Sequence, residues 1–270
     1  MIPKIIHQTY KSQDLVNSCA TFKFCQEKTK KVYYDYEYRF YSDSDMMEYV
    51  KENFSEYHEI FLTLPAIMKA DIFRYFLMIK DGGIYSDLDY LWFHQIPHTA
   101  KKCLLMEELS MDGYYTITGK NIANCVFASE KNFSFWISAV EEAFKKIKKF
   151  PVPTKNDARY ILKTSGPFLL EEIYKTSYTN NDNIKVFDAN LFNSEDFHKT
   201  RTVKIFKERS YWSGVSSCSM IDHPRTQKLV KKFETFEGEH KYYGIHLHTN
   251  SWFGSQGKKY NNLVPRNLSD

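Results

Sequence analysis

One short stretch gathers carboxylates, an arginine and paired glycines: Lys69-Ala-Asp71-Ile-Phe-Arg74-Tyr75, then Asp81-Gly-Gly-Ile-Tyr85-Ser-Asp87-Leu-Asp89. Asp71 and Arg74 stand three apart, so on a helix they share a face. Their neighbours Ile67, Ile72, Phe73, Phe76, Leu77 and Ile79 are apolar, which predicts a mostly buried helix. A buried Asp and a buried Arg need partners. An ion pair between the two meets that need, and so does a ligand. Gly82-Gly83 is expected to reverse the chain tightly into Ile84. If extended geometry continues from there, Tyr85, Asp87 and Asp89 project from one side. Two carboxylates so close repel each other unless a cation sits between them. Mg²⁺ and Mn²⁺ are held by one or two carboxylates while substrate phosphates complete the shell, which is what a nucleotide-diphosphate site needs. A bare Asp-x-Asp also arises in solvated turns, so the inference rests on the whole cluster. Further on, His246 and His248 alternate onto one face of a final strand, and geometry alone allows either to reach such a cation.

Elements must hold these side chains in place. Ile2-Pro-Lys-Ile-Ile6 reads as a short strand that ends in the polar run His7-Gln8-Thr9-Tyr10. A second strand is expected at 36–41, where aromatic residues alternate with Glu37 and Arg39. Ser42-Asp-Ser-Asp45 supplies cap chemistry for a helix over 46–53. Pro65 opens a helix over 66–80 that stops at Asp81-Gly82-Gly83. Strands follow from Ile84 and over 103–106, and a helix over 133–149 carries Trp136, Val140, Phe144 and Ile147 on one face. Gly166-Pro167 starts another helix through Tyr174, residues 176–183 read as a loop, and 242–248 as the final strand before a flexible tail from Gly254. This interleaving predicts one α/β domain with helical insertions.

The 270 residues, 43% of them apolar, suffice for one large domain with a full core. A net charge of +4 is too mild to indicate nucleic acid, and the run Lys145-Lys-Ile-Lys-Lys149 reads as a solvated helix end. Five cysteines without a C-x-x-C pair argue against a disulfide framework or a zinc site and for a reducing compartment. The most apolar stretch, 60–85, is interrupted by Lys69, Asp71, Arg74, Lys80 and Asp81, so no transmembrane segment is expected. A cytoplasmic location is the expectation.

Three blocks in the sequence resemble a known family. They are Ile2-Pro-Lys-Ile-Ile-His-Gln-Thr-Tyr10, residues 70–89, and Gly244-Ile-His-Leu-His-Thr-Asn-Ser-Trp252. In order and in content they resemble the glycosyltransferases with an Asp-x-Asp sugar-binding motif. That group contains the yeast initiating α-1,6-mannosyltransferase, capsular polysaccharide transferases and, more distantly, the glucosylating domains of clostridial toxins. The first block departs from the family in ending with Tyr10, where Trp is usual.

The resemblance implies a GT-A fold, with a single Rossmann-like mixed sheet in one catalytic domain over 1–270. It implies transfer, with retention, of a hexose from a UDP- or GDP-linked donor to an acceptor hydroxyl, with glycan or glycosylated acceptors, as in polysaccharide biosynthesis. It also implies Mn²⁺ or Mg²⁺ as cofactor. By position, Gln8, Thr9 and Tyr10 are expected near the nucleotide, Asp71 and Arg74 on the donor sugar or its phosphates, and Tyr85 against the donor. Asp87 should face the ribose and the metal, and Asp89 should bind the metal. Asp87, Asp89 and Arg74 would form the catalytic set. The spacing to Trp252 makes His246 the implied second metal ligand, with His248 in reserve, while Ser251 and Trp252 are expected on the donor. Asn124 resembles the family's asparagine facing the sugar. Ser165-Gly-Pro167 also resembles a family motif, although a helix start accounts for it. The competing possibilities are a non-catalytic sugar-nucleotide or glycan-binding protein on the same fold, and a nucleic-acid binder.

Overall fold

The computed structural model describes residues 1–97, 99–108, 121–150, 152, 157–192 and 243–246. In chain order the elements are β1 (Ile5–Thr9), α1 (Gln13–Ser18), α2 (Ala20–Val32), β2 (Glu37–Tyr41), α3 (Asp43–Asn53), α4 (Ser55–Thr63) and α5 (Ala66–Lys80). They continue with β3 (Gly83–Ser86), β4 (Tyr90–Trp92), β5 (Cys103–Glu108), β6 (Asn121–Ile122), β7 (Val126–Ser129), α6 (Ser134–Lys149), α7 (Ala158–Thr164) and α8 (Pro167–Ile173). The last described elements are β8 (Ile184–Phe187), α9 (Ala189–Phe192) and β9 (Gly244–His246).

The main sheet runs β2-β1-β3-β7-β5-β6, with β8 also paired to β5. The β2, β1 and β3 strands are parallel, β3, β7, β5 and β6 are successively antiparallel, and β8 is parallel to β5. A mixed α/β sheet is what the family resemblance implied, though as a single sheet, and here β4 and β9 pair apart from it. Period-2 alternation covers both of its faces. Tyr85, Phe127, Cys103 and Leu105 point into a core shared with α3, α4, α5, α6 and α8. Ile84, Val126, Ala128, Leu104 and Met106 point the other way, into a core that includes Tyr33, Tyr90 and Trp92. A separate antiparallel pair, β4 with β9, sets Tyr90 opposite His246.

Several elements differ from expectation. The first strand is Ile5–Thr9 instead of 2–6, because the polar run has buried partners: His7 Nε2 meets the Gly82 carbonyl at 2.8 Å, and Gln8 bonds Ser86 and Tyr38. Helix α3 starts at Asp43, three residues early, since Ser42 and Asp45 form a reciprocal capping box. Extended geometry does not continue to Asp89. The β3 strand stops at Ser86, and a turn closed by Tyr90 N–H donating to the Asp87 carbonyl (3.0 Å) precedes β4. Tyr174–Tyr178 prolong α8 as a wide π-type turn that runs into the loop expected over 176–183. Of the final strand, Gly244–His246 are described; His248, Ser251 and Trp252 lie outside the described residues.

The Gly82-Gly83 reversal has the backbone it was expected to need. Their φ angles are +68° and +95°, and a Cβ on Gly83 would lie 2.6 Å from the Ile5 carbonyl oxygen. Glycine therefore lets α5 turn into β3 directly against β1. Since β1 and β3 are parallel, with His7 opposite Tyr85, their carboxyl ends emerge together. The charged cluster forms there. Among the described residues, no helix is long and apolar enough to cross a membrane.

Candidate active site

Helix α5 contributes Asp71 and Arg74, 3% and 5% exposed, from an otherwise apolar face. Arg74 lies over the Tyr85 ring, 4.7 Å from its centroid. Its guanidinium reaches Asp87 at 3.2 Å and Asp71 at 3.5 Å, and it donates to the Asn124 carbonyl. Asp71 accepts from Asn124 Nδ2 (3.0 Å) on one oxygen and from Ser165 Oγ (2.9 Å) on the other. The ion pair that the helix suggested is present, but it is one strand of a wider network.

The turn after β3 carries the two motif aspartates. Tyr85 donates its hydroxyl to Asp87 Oδ1 at 2.8 Å, and Asp87 N–H donates to the Cys125 carbonyl at 2.7 Å. Gln8 Nε2 donates to the Asp87 carbonyl and to Ser86 Oγ, each at 3.2 Å. Across the β4–β9 pair, His246 Nε2 stands 3.1 Å from Asp89 Oδ1 and 4.0 Å from Asp87 Oδ2. Asp87, Asp89 and His246 each offer one ligand atom, all within 4.8 Å of one another. Two carboxylate oxygens and an imidazole nitrogen suit Mn²⁺, and the carboxylates alone suit Mg²⁺ once phosphates join the shell.

Burial and charge set the protonation here. Burial pushes the Asp71 carboxyl up to about 7, against the pull of Arg74 and the Ser165 hydrogen bond. Burial also raises Asp87; Arg74 opposes that shift and neighbouring Asp89 adds to it. Burial works against the Arg74 charge, but Asp87, Tyr85 and Asp71 outweigh it and the guanidinium stays ionised. For His246, burial again opposes the charge, while Cys125 and Asp89 raise its pKa well above the usual imidazole value. In the cluster Arg74 stands against Asp87 and His246 against Asp89, so each motif carboxylate has a basic neighbour.

The structure brings Asp71, Arg74, Tyr85, Asp87, Asp89, Asn124 and His246 together. Gln8, Thr9 and Tyr10 lie at the adjoining end of β1 with their groups used internally. Gln8 is fully buried, Thr9 Oγ1 donates to the Tyr41 carbonyl (2.9 Å), and Tyr10 packs edge-on against Phe22. Gln8 thereby braces the Asp87 turn. One residue set aside as a helix start and one not singled out also take part in the network. Ser165 grips Asp71 from the α7–α8 turn while its carbonyl accepts from Tyr75 (2.6 Å), and its Ser-Gly-Pro setting was the available signal. His7 holds the Gly82 carbonyl, and nothing in its local sequence marks it as buried.

Residues 20–110 match the family described as the glycosyltransferase sugar-binding region containing DXD motif. Relatives extend the likeness past it. The chain is 27% identical over 176 residues to mannosyl phosphorylinositol ceramide synthase SUR1 of Saccharomyces cerevisiae, covering 65% of this chain and 42% of that protein. It is 36% identical over 89 residues to inositol phosphoceramide mannosyltransferase 3 of Schizosaccharomyces pombe, covering 33% of this chain and 24% of the relative. An uncharacterized glycosyltransferase, L373, of Acanthamoeba polyphaga mimivirus is 26% identical over 200 residues, with 73% of each chain covered. The chain thus spans less than half the length of these two yeast relatives. Among solved structures, the PaToxG glycosyltransferase aligns over 86% of this chain and 87% of its own at 14% identity and a TM-score of 0.44.

Proposed function

We propose that the chain is a metal-dependent, retaining hexosyltransferase in which residues 1–270 act as one catalytic domain. It would use a nucleotide-diphosphate sugar as donor and a glycan-type hydroxyl as acceptor. The observation that carries this is the convergence of Asp87, Asp89 and His246 on one point beside the Arg74 guanidinium. A plain binding module gains nothing from three such ligands next to an arginine. Mannose is the first sugar to test, since the names of most relatives contain it.

Asp87, Asp89 and His246 would hold Mn²⁺ or Mg²⁺, which supplies Lewis-acid neutralisation of the leaving diphosphate. The chain's own residues do the rest. Arg74, kept charged by Asp71 and Asp87, offers a fixed positive group to developing phosphate charge. Asp71 and Asn124, locked together at 3.0 Å, present a polar wall for sugar hydroxyls, and Tyr85 supplies the floor under Arg74. The sugar C1–O(phosphate) bond breaks and the C1–O(acceptor) bond forms on the same face. The acceptor proton passes to the departing phosphate oxygen, giving a glycoside and a nucleoside diphosphate. Among the described residues no carboxylate is placed as an obvious covalent nucleophile, because Asp71, Asp87 and Asp89 are all engaged.

The test is turnover of GDP-mannose and a panel of UDP-hexoses by purified protein with Mn²⁺, EDTA, and Mn²⁺ restored. Activity that EDTA leaves intact would remove the metal from the proposal. Failure to turn over any donor that binds would favour the binding module. Asp89→Asn is expected to lose at least 100-fold in rate with its melting temperature nearly unchanged. His246→Ala is expected to raise the Mn²⁺ concentration needed for half-maximal rate.

A further inference from the structure

The three candidate metal ligands come from two sheets. Asp87 follows β3 of the main sheet, whereas His246 ends β9 of the separate β4–β9 pair, with Asp89 in the turn between β3 and β4. Bringing them within reach of one ion therefore depends on how the small sheet seats on the large one. A buried side-chain strut spans that junction. Trp92 of β4 donates its indole N–H to Ser86 Oγ at the end of β3, at 3.1 Å, and both residues are fully buried. Ser86 Oγ also accepts from Gln8 Nε2 and donates to the Asp87 carbonyl, each at 3.2 Å. One hydroxyl thus uses its single proton and both lone pairs. The Gln8 amide is held in turn, because its oxygen accepts from the Tyr38 hydroxyl at 2.9 Å.

From Trp92 the contact runs on to the imidazole. Trp92 and Tyr90 share a face of β4, and their rings pack 4.6 Å apart. Tyr90 lies opposite His246 in the β4–β9 register, with the two rings stacked at 6.4 Å and 23°. Gly244, opposite Trp92, leaves the room this row needs, because a Cβ there would overlap the Tyr90 ring. Ser86, Trp92, Tyr90 and His246 are therefore one packed series, with Asp87 joined to its first member.

We propose that Ser86 and Trp92 are positioning residues that set the preference of this site for Mn²⁺ over Mg²⁺, by holding the His246 imidazole where one ion meets it and Asp87 together. The assignment rests on the metal-dependent function proposed above. Carboxylates and phosphates satisfy Mg²⁺, whereas an imidazole adds to the hold on Mn²⁺. Releasing the strut costs the imidazole its place. Asp87 keeps its bonds to Gln8, to the Tyr90 N–H and to the Cys125 carbonyl, so the carboxylate part of the site stays. Mn²⁺ therefore loses more than Mg²⁺.

The experiment uses the full chain with the metals alone. Free Mn²⁺ is counted by its EPR signal, and Mg²⁺ is read by the Mn²⁺ it displaces. Trp92→Phe keeps a ring and removes the indole N–H; Ser86→Ala removes the hydroxyl. Each is expected to weaken Mn²⁺ about tenfold, the scale of an outer-shell partner, and to lower by about fivefold the Mg²⁺ that displaces half the ion at saturating Mn²⁺. Adding Trp92→Phe to His246→Ala should weaken Mn²⁺ no further, since the strut acts through that imidazole. Melting temperatures are recorded alongside. Ser86→Ala strands two buried donors, and should it fail to fold, Trp92→Phe decides alone. Unchanged Mn²⁺ affinity in Trp92→Phe, equal losses for the two metals, or a full further loss in the His246→Ala background would each overturn the proposal, whatever the melting temperature does. In all of these, wild type binds Mn²⁺ and Asp89→Asn does not. Wild type and Asp89→Asn binding Mn²⁺ alike would instead remove the metal site itself, and the role of the strut with it.

Discussion

Arg74 touches more of the charged cluster than any other side chain in it. It meets Asp71, Asp87, the Asn124 carbonyl and the Tyr85 face, and a planar fork is needed to do so at once. Arg74→Lys keeps the charge and loses the geometry. We expect kcat/KM for donor turnover to fall at least 100-fold with a melting temperature within a few degrees of wild type. A large loss of melting temperature with turnover per folded molecule unchanged would reduce Arg74 to a structural ion pair. Ser165 is tested by the same contrast. Ser165→Ala leaves Asp71 Oδ2 without its hydroxyl donor, a deficit of about 1–3 kcal/mol for a buried acceptor, and Ser165→Thr restores it. Rate loss in the Ala variant and recovery in the Thr variant is the expected pattern, read from initial rates at saturating donor. At this scale the sequence was legible where residue type and spacing coincide with chemistry, as at Asp87 and Asp89. It was opaque for His7, whose partner lies 75 residues away, and for Ser165 it offered a motif but not the partner 94 residues away.

Elements position these residues through one narrow device, the α5–β3 reversal. Gly83 has φ of +95° and its missing Cβ leaves 2.6 Å to the Ile5 carbonyl, so Gly83→Ala must both strain its own backbone and push β1 from β3. We expect a loss of about 3 kcal/mol, read by urea unfolding, with residual activity falling further because β1 also carries Gln8 to the Asp87 turn. Stability within about 0.5 kcal/mol of wild type would mean that β1 and β3 can separate freely. Strong local signals made α5, β2 and α6 readable: a proline start and glycine stop, aromatic alternation, and an amphipathic face ending in lysines. The α2 helix escaped notice because Phe22, Cys25, Gln26 and Thr29 make a buried face that is half polar. The β7 strand escaped because Val126–Ser129, four residues buried on both sides, has no alternation to read. The early end of β3 also lay beyond local pattern, since the turn at 87–89 is fixed by Gln8 of β1 and by Cys125 between β6 and β7.

At the scale of the whole molecule, two buried titratable groups pull acid stability in opposite directions. His7 is fully buried, and burial lowers its pKa from 6.5 to about 4 in spite of the Gly82 hydrogen bond. The unfolded chain takes up this proton near 6.5 and the folded one only near 4, so the His7 contribution is present above 6.5 and is lost as pH falls towards 4. Its full size is on the order of 3 kcal/mol. Asp71 behaves conversely, because burial raises it from 3.8 to about 7. Its contribution is present below 3.8 and is lost as pH rises through 7, with a size of the same order. In metal-free protein the two slopes oppose each other across the interval they share. We therefore expect His7→Gln, which can still donate to the Gly82 carbonyl, to unmask a stability that declines as pH rises from 4.5 to 6.5. Asp71→Asn should unmask the reverse slope, and the double variant should be flatter than either. Urea midpoints in EDTA at half-unit pH steps, each variant subtracted from wild type, isolate the two groups from the surface carboxylates common to all. Parallel curves for His7→Gln and wild type would mean that His7 titrates normally, and would remove the buried neutral imidazole from the β1–β3 seam.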